Sequence, residues 1–182
     1  MQRHFGRATV AVVRAIDPSL ADAALRLTPS GKVPETVCLD TANQQHSELV
    51  HILKTRCSLD RVLTLPSGGF PDSVFIEDTA VAIGSRVLIT VPGAESRRGE
   101  TKAVLSGLRN SIGGTSVVHM KHLDEEATLD GGDVLFTGAE VFVGISNRTN
   151  SSGAAALQLA FPEIPVRAID IQQFGDSCLH LK

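Results

Sequence analysis

The chain has 182 residues, 42% apolar and 20% charged, which is the profile of a folded globular chain about one domain long and not of a disordered one. Lys and Arg number 17 against 20 Asp and Glu, a formal charge of −3, so the basic excess that phosphate-backbone binding exploits is lacking and nucleic acid is disfavoured as the main partner. Trp and Tyr are absent and Phe occurs seven times, which removes stacking platforms and membrane-interface belts and leaves charge and hydrogen bonding to supply specificity.

In chain order, an apolar run over 8–13 follows Arg3 and Arg7 but is broken by Thr9 and stopped by Arg14, short of a secretory core. No stretch approaches the ~20 apolar residues of a membrane span. Cys38, Cys57 and Cys178 are odd in number and form no C-x-x-C pair, so free thiols in a reducing cytoplasm are expected. The first strand is predicted over 9–14. Asp17-Pro18 then reads as an N-cap with Pro at the first helical position, opening a helix over 19–26. Leu39, Ala42, Leu49, Ile52 and Leu53 recur at helical spacing with Gln44, Gln45 and Glu48 between them, an amphipathic helix against a sheet. Strands are predicted over 61–65, 74–83, 86–90 and 116–120, with a helix over 98–108. The same order of strand, strand, helix, strand returns at 134–137, 141–145, 153–160 and 166–171, and 178–181 reads as one more strand.

Two similar units therefore follow one another, with residues 9–65 as a looser version of them. Asp78 and Asp133 occupy matching places 55 residues apart. Such a repeat points to several modules, and the run at 178–181 looks like the opening strand of a fourth.

Polar residues that interrupt buried strands mark the chemistry. Glu77 and Asp78 stand inside an apolar run, where ionised carboxylates need a cation or several hydrogen bonds; strand alternation would put them on opposite faces and Asp72 on the face of Asp78. Asp130-Gly131-Gly132-Asp133 combines acids with glycines that permit positive φ and close backbone approach. Arg97 and Arg148 each follow the second strand of a unit, where bidentate pairing with a ligand carboxylate suits a guanidinium. His180 alternates with leucines and, with Asp130 or Asp133 orienting it, is a candidate general acid and base. Cys178, two residues away, reads as a small buried hydrophobe and an untested substitute nucleophile. His119 and His122 with Asp124 lack a third soft ligand at usual spacing, so no metal site is expected there.

These residues carry a family resemblance. Phe5-Gly6-Arg7, Pro71-Asp72-Ser73-Val74-Phe75-Ile76-Glu77-Asp78, Pro92-Gly93-Ala94-Glu95-Ser96-Arg97, the stretch from Ala127 through Asp130-Gly131-Gly132-Asp133 to Gly138, Ser146-Asn147-Arg148-Thr149-Asn150 and Leu179-His180-Leu181-Lys182 resemble dimethylarginine dimethylaminohydrolase. The resemblance implies an α/β fold of the pentein type, a five-bladed propeller of ββαβ units, here about three blades plus one strand of a single domain over 1–182 whose C-terminal blades lie beyond it. It implies hydrolysis of asymmetric dimethylarginine and monomethylarginine to L-citrulline and methylamines, through a cysteine-bound intermediate and with no cofactor or metal. A related arginine deiminase, an amidinotransferase, or a non-catalytic binder of arginine analogues or protein partners are the alternatives. Carried over by position, His180 and Asp130 are catalytic, and Leu25, Asp72, Glu77, Asp78, Arg97 and Arg148 bind substrate. No cysteine matches the family's nucleophile, and Val91 stands where relatives often carry Arg. The partner implied is a small methylated arginine, not nucleic acid or membrane, and a chain of this extent is expected to self-associate.

Overall fold

The computed structural model describes residues 8–26, 36–111 and 114–182. The Phe5-Gly6-Arg7 motif lies outside them. Strand β1 (Val10–Arg14) is followed by helices α1 (Leu20–Ala23) and α2 (Leu39–Arg56) and by β2 (Arg61–Leu65), which pairs in parallel with β1. Parallel strands need a long crossover, and α2 provides it. Asp17 does not cap the helix as expected: its carboxylate accepts the Ser19 N–H at 3.0 Å and α1 begins at Leu20. Along α2 the predicted stripe is only half-buried and no residue is fully covered, with Leu49 51% exposed.

Two complete units follow. In the first, β3 (Ala80–Ile83) runs antiparallel to β4 (Arg86–Ile89), and α3 (Thr101–Ser111) crosses over to β5 (Ser116–His119), parallel to β4. In the second, β6 (Val134–Phe136), β7 (Val141–Ile145), α4 (Ser151–Ala160) and β8 (Val166–Asp170) repeat that order and those pairings. Tight turns between the antiparallel strands place Gly84 at φ +62° and Gly138 at φ +90°, a region closed to most side chains. The middle strands carry helices on one face and neighbouring elements on the other, which is why Val87, Leu88 and Ile89, and likewise Val141 and Val143, are all buried. The main core joins both units through Leu88, Met120, Leu129, Leu157 and Phe161, while Val104 and Leu108 of α3 cover Val87 and Ile89.

Two predicted strands are corrected. Residues 74–83 hold a strand only from Ala80; before it the chain turns through 3-10 geometry at Ile76–Thr79, with Thr79 Oγ1 donating to Ile76 O and Thr90 Oγ1 to Asp78 O. A turn satisfies the backbone locally and frees Asp72, Glu77 and Asp78 from alternation. Residues 178–181 form no strand either: the chain leaves a 3-10 turn at Gln172–Ser177 and crosses the Gly131–Asp133 turn, where Leu181 N–H donates to Asp133 and Lys182 N–H to Gly132 O. Among the described residues that final segment has no strand neighbour to continue a ladder. No helix among the described residues is long and apolar enough to cross a membrane.

Candidate functional site

The turns that open the two complete units, Ile76–Thr79 before β3 and Gly131–Asp133 before β6, lie back to back. Their approach is so close that a Cβ on Gly131 would stand 2.0 Å from Glu77 O, and one on Gly132 would meet the His180 ring at 2.9 Å and Asp78 Oδ1 at 3.0 Å. The glycine pair thus serves close approach and not positive φ, which neither residue adopts. Over these turns opens a cavity of about 380 Å³ lined by Leu25, Asp72, Glu77, Asp78, Arg97 and Asp130, and also by Arg148 and His180. All eight site residues expected from the sequence border this one space.

Asp78 is held from two sides. Its Oδ2 accepts Arg97 Nη1 at 2.6 Å and its Oδ1 accepts Gly132 N–H at 3.0 Å. Arg97, with a side chain only 6% exposed, has its guanidinium engaged throughout: Nε and Nη2 reach the two Glu100 oxygens at 3.1 and 3.0 Å, and Nη2 also donates to the carbonyls of Phe75 and Asp72. Burial works against its charge, but the Glu100 and Asp78 bonds outweigh that and hold the guanidinium above its ordinary value. Glu100, almost fully buried, is pushed up by burial against the pull of Arg97 and Arg14. Behind it, buried Arg14 donates to the Glu100 carbonyl at 3.2 Å and to Ser67 O at 2.7 Å.

His180 faces three acids. Nδ1 lies 3.5 Å from Asp133 Oδ2, and Nε2 lies 3.9 Å from both Asp78 Oδ1 and Asp130 Oδ2. Burial lowers the imidazole, yet the Asp133 contact and the charges of Asp78, Asp133 and Asp130 prevail and its pKa is raised. Asp130 is pushed up, by burial first and by the neighbouring Asp78 charge, with the Gly93 N–H at 2.9 Å opposing. Its Oδ2 is buried without a hydrogen-bond partner among the described residues. Asp78, Asp130 and His180 come within metal-binding range of one another, and both Asp78 oxygens already accept N–H donors. The His119 and His122 rings stand 5.1 Å apart, and His119 borders a separate cavity of about 640 Å³.

The remaining expected residues divide by role. Asp72 is buried, and both its oxygens accept Leu25 N–H, at 3.1 and 3.2 Å, so it ties the segment after α1 to the cavity edge. Glu77 is exposed and ion-paired with Lys182. The Arg148 side chain borders the cavity without a partner among the described residues. Its supposed equivalence with Arg97 does not hold: Arg97 is an internal counter-ion, Arg148 a half-buried cation at the cavity. Cys178 does not line the cavity; its thiol donates to the His180 carbonyl at 3.1 Å. Sequence reading missed Glu100, Ser146, Thr149 and Lys182. The Arg97-to-Glu100 spacing of three residues and the hydroxyls flanking Arg148 were the available signals.

The family model described as RNA-editing substrate-binding complex 5 protein (RESC5) matches residues 22–177. The chain is 36% identical over 168 residues to the DDAH2 protein of Bos taurus, spanning 91% of this chain and 55% of that one. It is 42% identical over 117 residues to the N(G),N(G)-dimethylarginine dimethylaminohydrolase of Streptomyces coelicolor, 64% of this chain and 43% of that one. It therefore spans about half the length of these relatives. Among solved structures, a mutant of the Pseudomonas aeruginosa DDAH complexed with citrulline superposes with a TM-score of 0.75 at 28% identity over 97% of this chain and 64% of that one. The N-terminal domain of ArgZ, a cyanobacterial arginine dihydrolase, gives 0.71 at 17% identity over 90% and 57%, a likeness of fold. The α/β fold is of the pentein type, as the repeated ββαβ order implies.

Proposed function

The chain belongs to the dimethylarginine dimethylaminohydrolase family, and to the family described as RNA-editing substrate-binding complex 5 protein, and on that premise we propose that its cavity binds the guanidinium of a methylated arginine for hydrolysis to L-citrulline. The observation that carries this is the convergence of Asp78, Asp130 and His180 on one cavity with a free guanidinium, Arg148, at its edge. A planar cation fits between Asp78 and the unpartnered Asp130 Oδ2, and charge-assisted hydrogen bonds there polarise its central carbon. Arg148 suits the α-carboxylate at the other end. Leu25, Asp72 and Glu77 close the remaining wall. A thiolate adds to the central carbon, His180 Nε2 gives its proton to the departing methylamine, and the same nitrogen then takes a proton from the water that releases citrulline.

The thiolate is not drawn from the described cavity wall, which contains no cysteine. That observation favours the second reading, binding of an arginine analogue without turnover, for these 182 residues taken alone; C-N hydrolysis needs a cysteine thiolate that the described cavity wall does not carry. Three free thiols suit a reducing cytoplasm, and a net charge of −3 suits a small zwitterion better than RNA.

Titration calorimetry with asymmetric dimethylarginine and L-citrulline tests the reading. Binding is expected, with no citrulline formed, and Asp78→Asn is expected to weaken it about 10- to 100-fold, the worth of one hydrogen bond to a charged group. Absence of binding to a folded chain, or equal binding by agmatine, which lacks the carboxylate, sinks it.

A further inference from the structure

The larger cavity, of about 640 Å³, lies outside the carboxyl ends of the parallel strands β4 and β5, whose last paired residues, Ile89 and His119, both border it. Parallel α/β sheets characteristically hold ligands in such crevices, because the loops that leave the strand ends converge there. No residue borders both this cavity and the one beside His180. Its floor is apolar and belongs to the packed interior, with Ile89, Met120 and Ala127 all buried.

The rim is charged. Arg98 and Lys102, about one helical turn apart, come from the segment that opens α3, and Lys121 comes from the turn after β5. Arg98 gives its Nε to Pro92 O at 3.1 Å, which steadies the stem and leaves both Nη groups for a ligand. Glu125 and Glu126 complete the charged rim. None of these five side chains is ion-paired among the described residues, so three cations and two acids border one space without neutralising one another. His119 adds no charge at neutral pH: burial first, then the neighbouring His122 and Arg109, hold its imidazole below the ordinary value, and a neutral ring offers one donor and one acceptor.

This arrangement specifies a ligand chemistry. A guanidinium forks two phosphate oxygens, and two ammonium groups balance the remaining charge of a dianion. Carboxylates only accept hydrogen bonds, and sugar hydroxyls are natural donors to them. Among the described residues no aromatic ring other than His119 borders the cavity, so a nucleobase finds little to stack on. We propose that the cavity at the ends of β4 and β5 binds a phosphate monoester of a small polyhydroxylated molecule, a sugar phosphate, with the phosphate on Arg98, Lys102 and Lys121 and the hydroxyls on Glu125 and Glu126.

This site is separate from the methylarginine cavity and is tested without reference to it. The 182-residue chain labelled with 15N is titrated with inorganic phosphate, ribose and ribose 5-phosphate, and amide chemical shifts are followed. Ribose 5-phosphate is expected to shift the amides of Arg98, Lys102, Lys121 and Glu126 saturably and to bind about tenfold more tightly than phosphate, the worth of a hydrogen bond to a charged group; ribose alone is expected not to saturate. Lys102→Gln combined with Lys121→Gln is expected to weaken phosphate and ribose 5-phosphate alike, about tenfold. Glu125→Ala combined with Glu126→Ala is expected to abolish the preference for ribose 5-phosphate while phosphate still binds. All four substituted side chains are exposed, so the variants are expected to keep the wild-type circular dichroism. No saturable shift with ribose 5-phosphate, shifts confined to other parts of the chain, ribose binding as tightly as its phosphate, or affinities unmoved in both double variants overturns the proposal.

Discussion

Each ionised group in the site is fixed by a specific neighbour, and substitutions there separate the contributions. Arg97 sits between Asp78 and Glu100, so Glu100→Gln removes a buried counter-charge and leaves the guanidinium with one anionic partner, Asp78. Breaking a buried pair from one side costs about 3–5 kcal/mol, and a loss toward the low end is expected because Asp78 remains; urea unfolding monitored by circular dichroism measures it. His180 gives a pH signature. Its pKa is raised in the folded state, so the folded protein binds the proton more tightly than the unfolded chain. That contribution is complete below about pH 6.5, the unfolded value, and is lost as pH rises through the folded one. Unfolding free energies of wild type and His180→Asn are expected to differ most in mild acid and to converge toward alkaline pH; a gap that widens with pH contradicts the raised value. The acids were legible in the sequence because carboxylates inside apolar runs are conspicuous. Glu100 was not, since a Glu at the end of a charged segment looks like surface.

At the scale of elements, one short stretch, Ser146-Asn147-Arg148-Thr149-Asn150, connects cavity, acid and helix. Ser146 and Thr149 hold Asp133, Arg148 borders the cavity, and Asn150 caps α4 by accepting Gly153 N–H at 2.7 Å while its Oδ1 also takes Thr128 N–H at 3.1 Å. Asn150→Ala removes both bonds and the one that its Nδ2 donates to Glu126 O at 2.8 Å. The expected cost is about 1–2 kcal/mol, read as a lower urea midpoint at unchanged slope. Helices and strands with strong periodicity, such as β2, β4 and β7, stand where the sequence put them. The turns at Ile76–Thr79 and 178–181 do not, because apolar composition alone does not distinguish a strand from a turn whose polar backbone is satisfied locally or by a buried aspartate.

At the scale of the whole molecule, the two complete units bring their opening turns together, and the cavity lies across both. Elsewhere β8 exposes four successive residues, Arg167 to Asp170, at a sheet edge, and Leu49, Leu159 and Phe174 are exposed apolar side chains. Unpaired edges with apolar residues invite association. Light scattering across a concentration series is expected to show reversible self-association of the 182-residue chain, reduced by Ile169→Lys; a monomer at every concentration contradicts this.

The sequence by itself determined the repeated ββαβ order, the family and eight of the residues that border the cavity, since periodicity, punctuating glycines and isolated charges are local properties. Tertiary structure alone decided how those charges are shared. That Arg97 is consumed by Asp78 as well as by nearby Glu100 while Arg148 is left to the cavity, and that His180 turns one nitrogen to Asp133 and the other to Asp78 and Asp130, depends on contacts that reach 19 residues along the chain for Arg97 and up to 102 for His180. Spacing along a chain carries no record of which partner reaches a buried charge first.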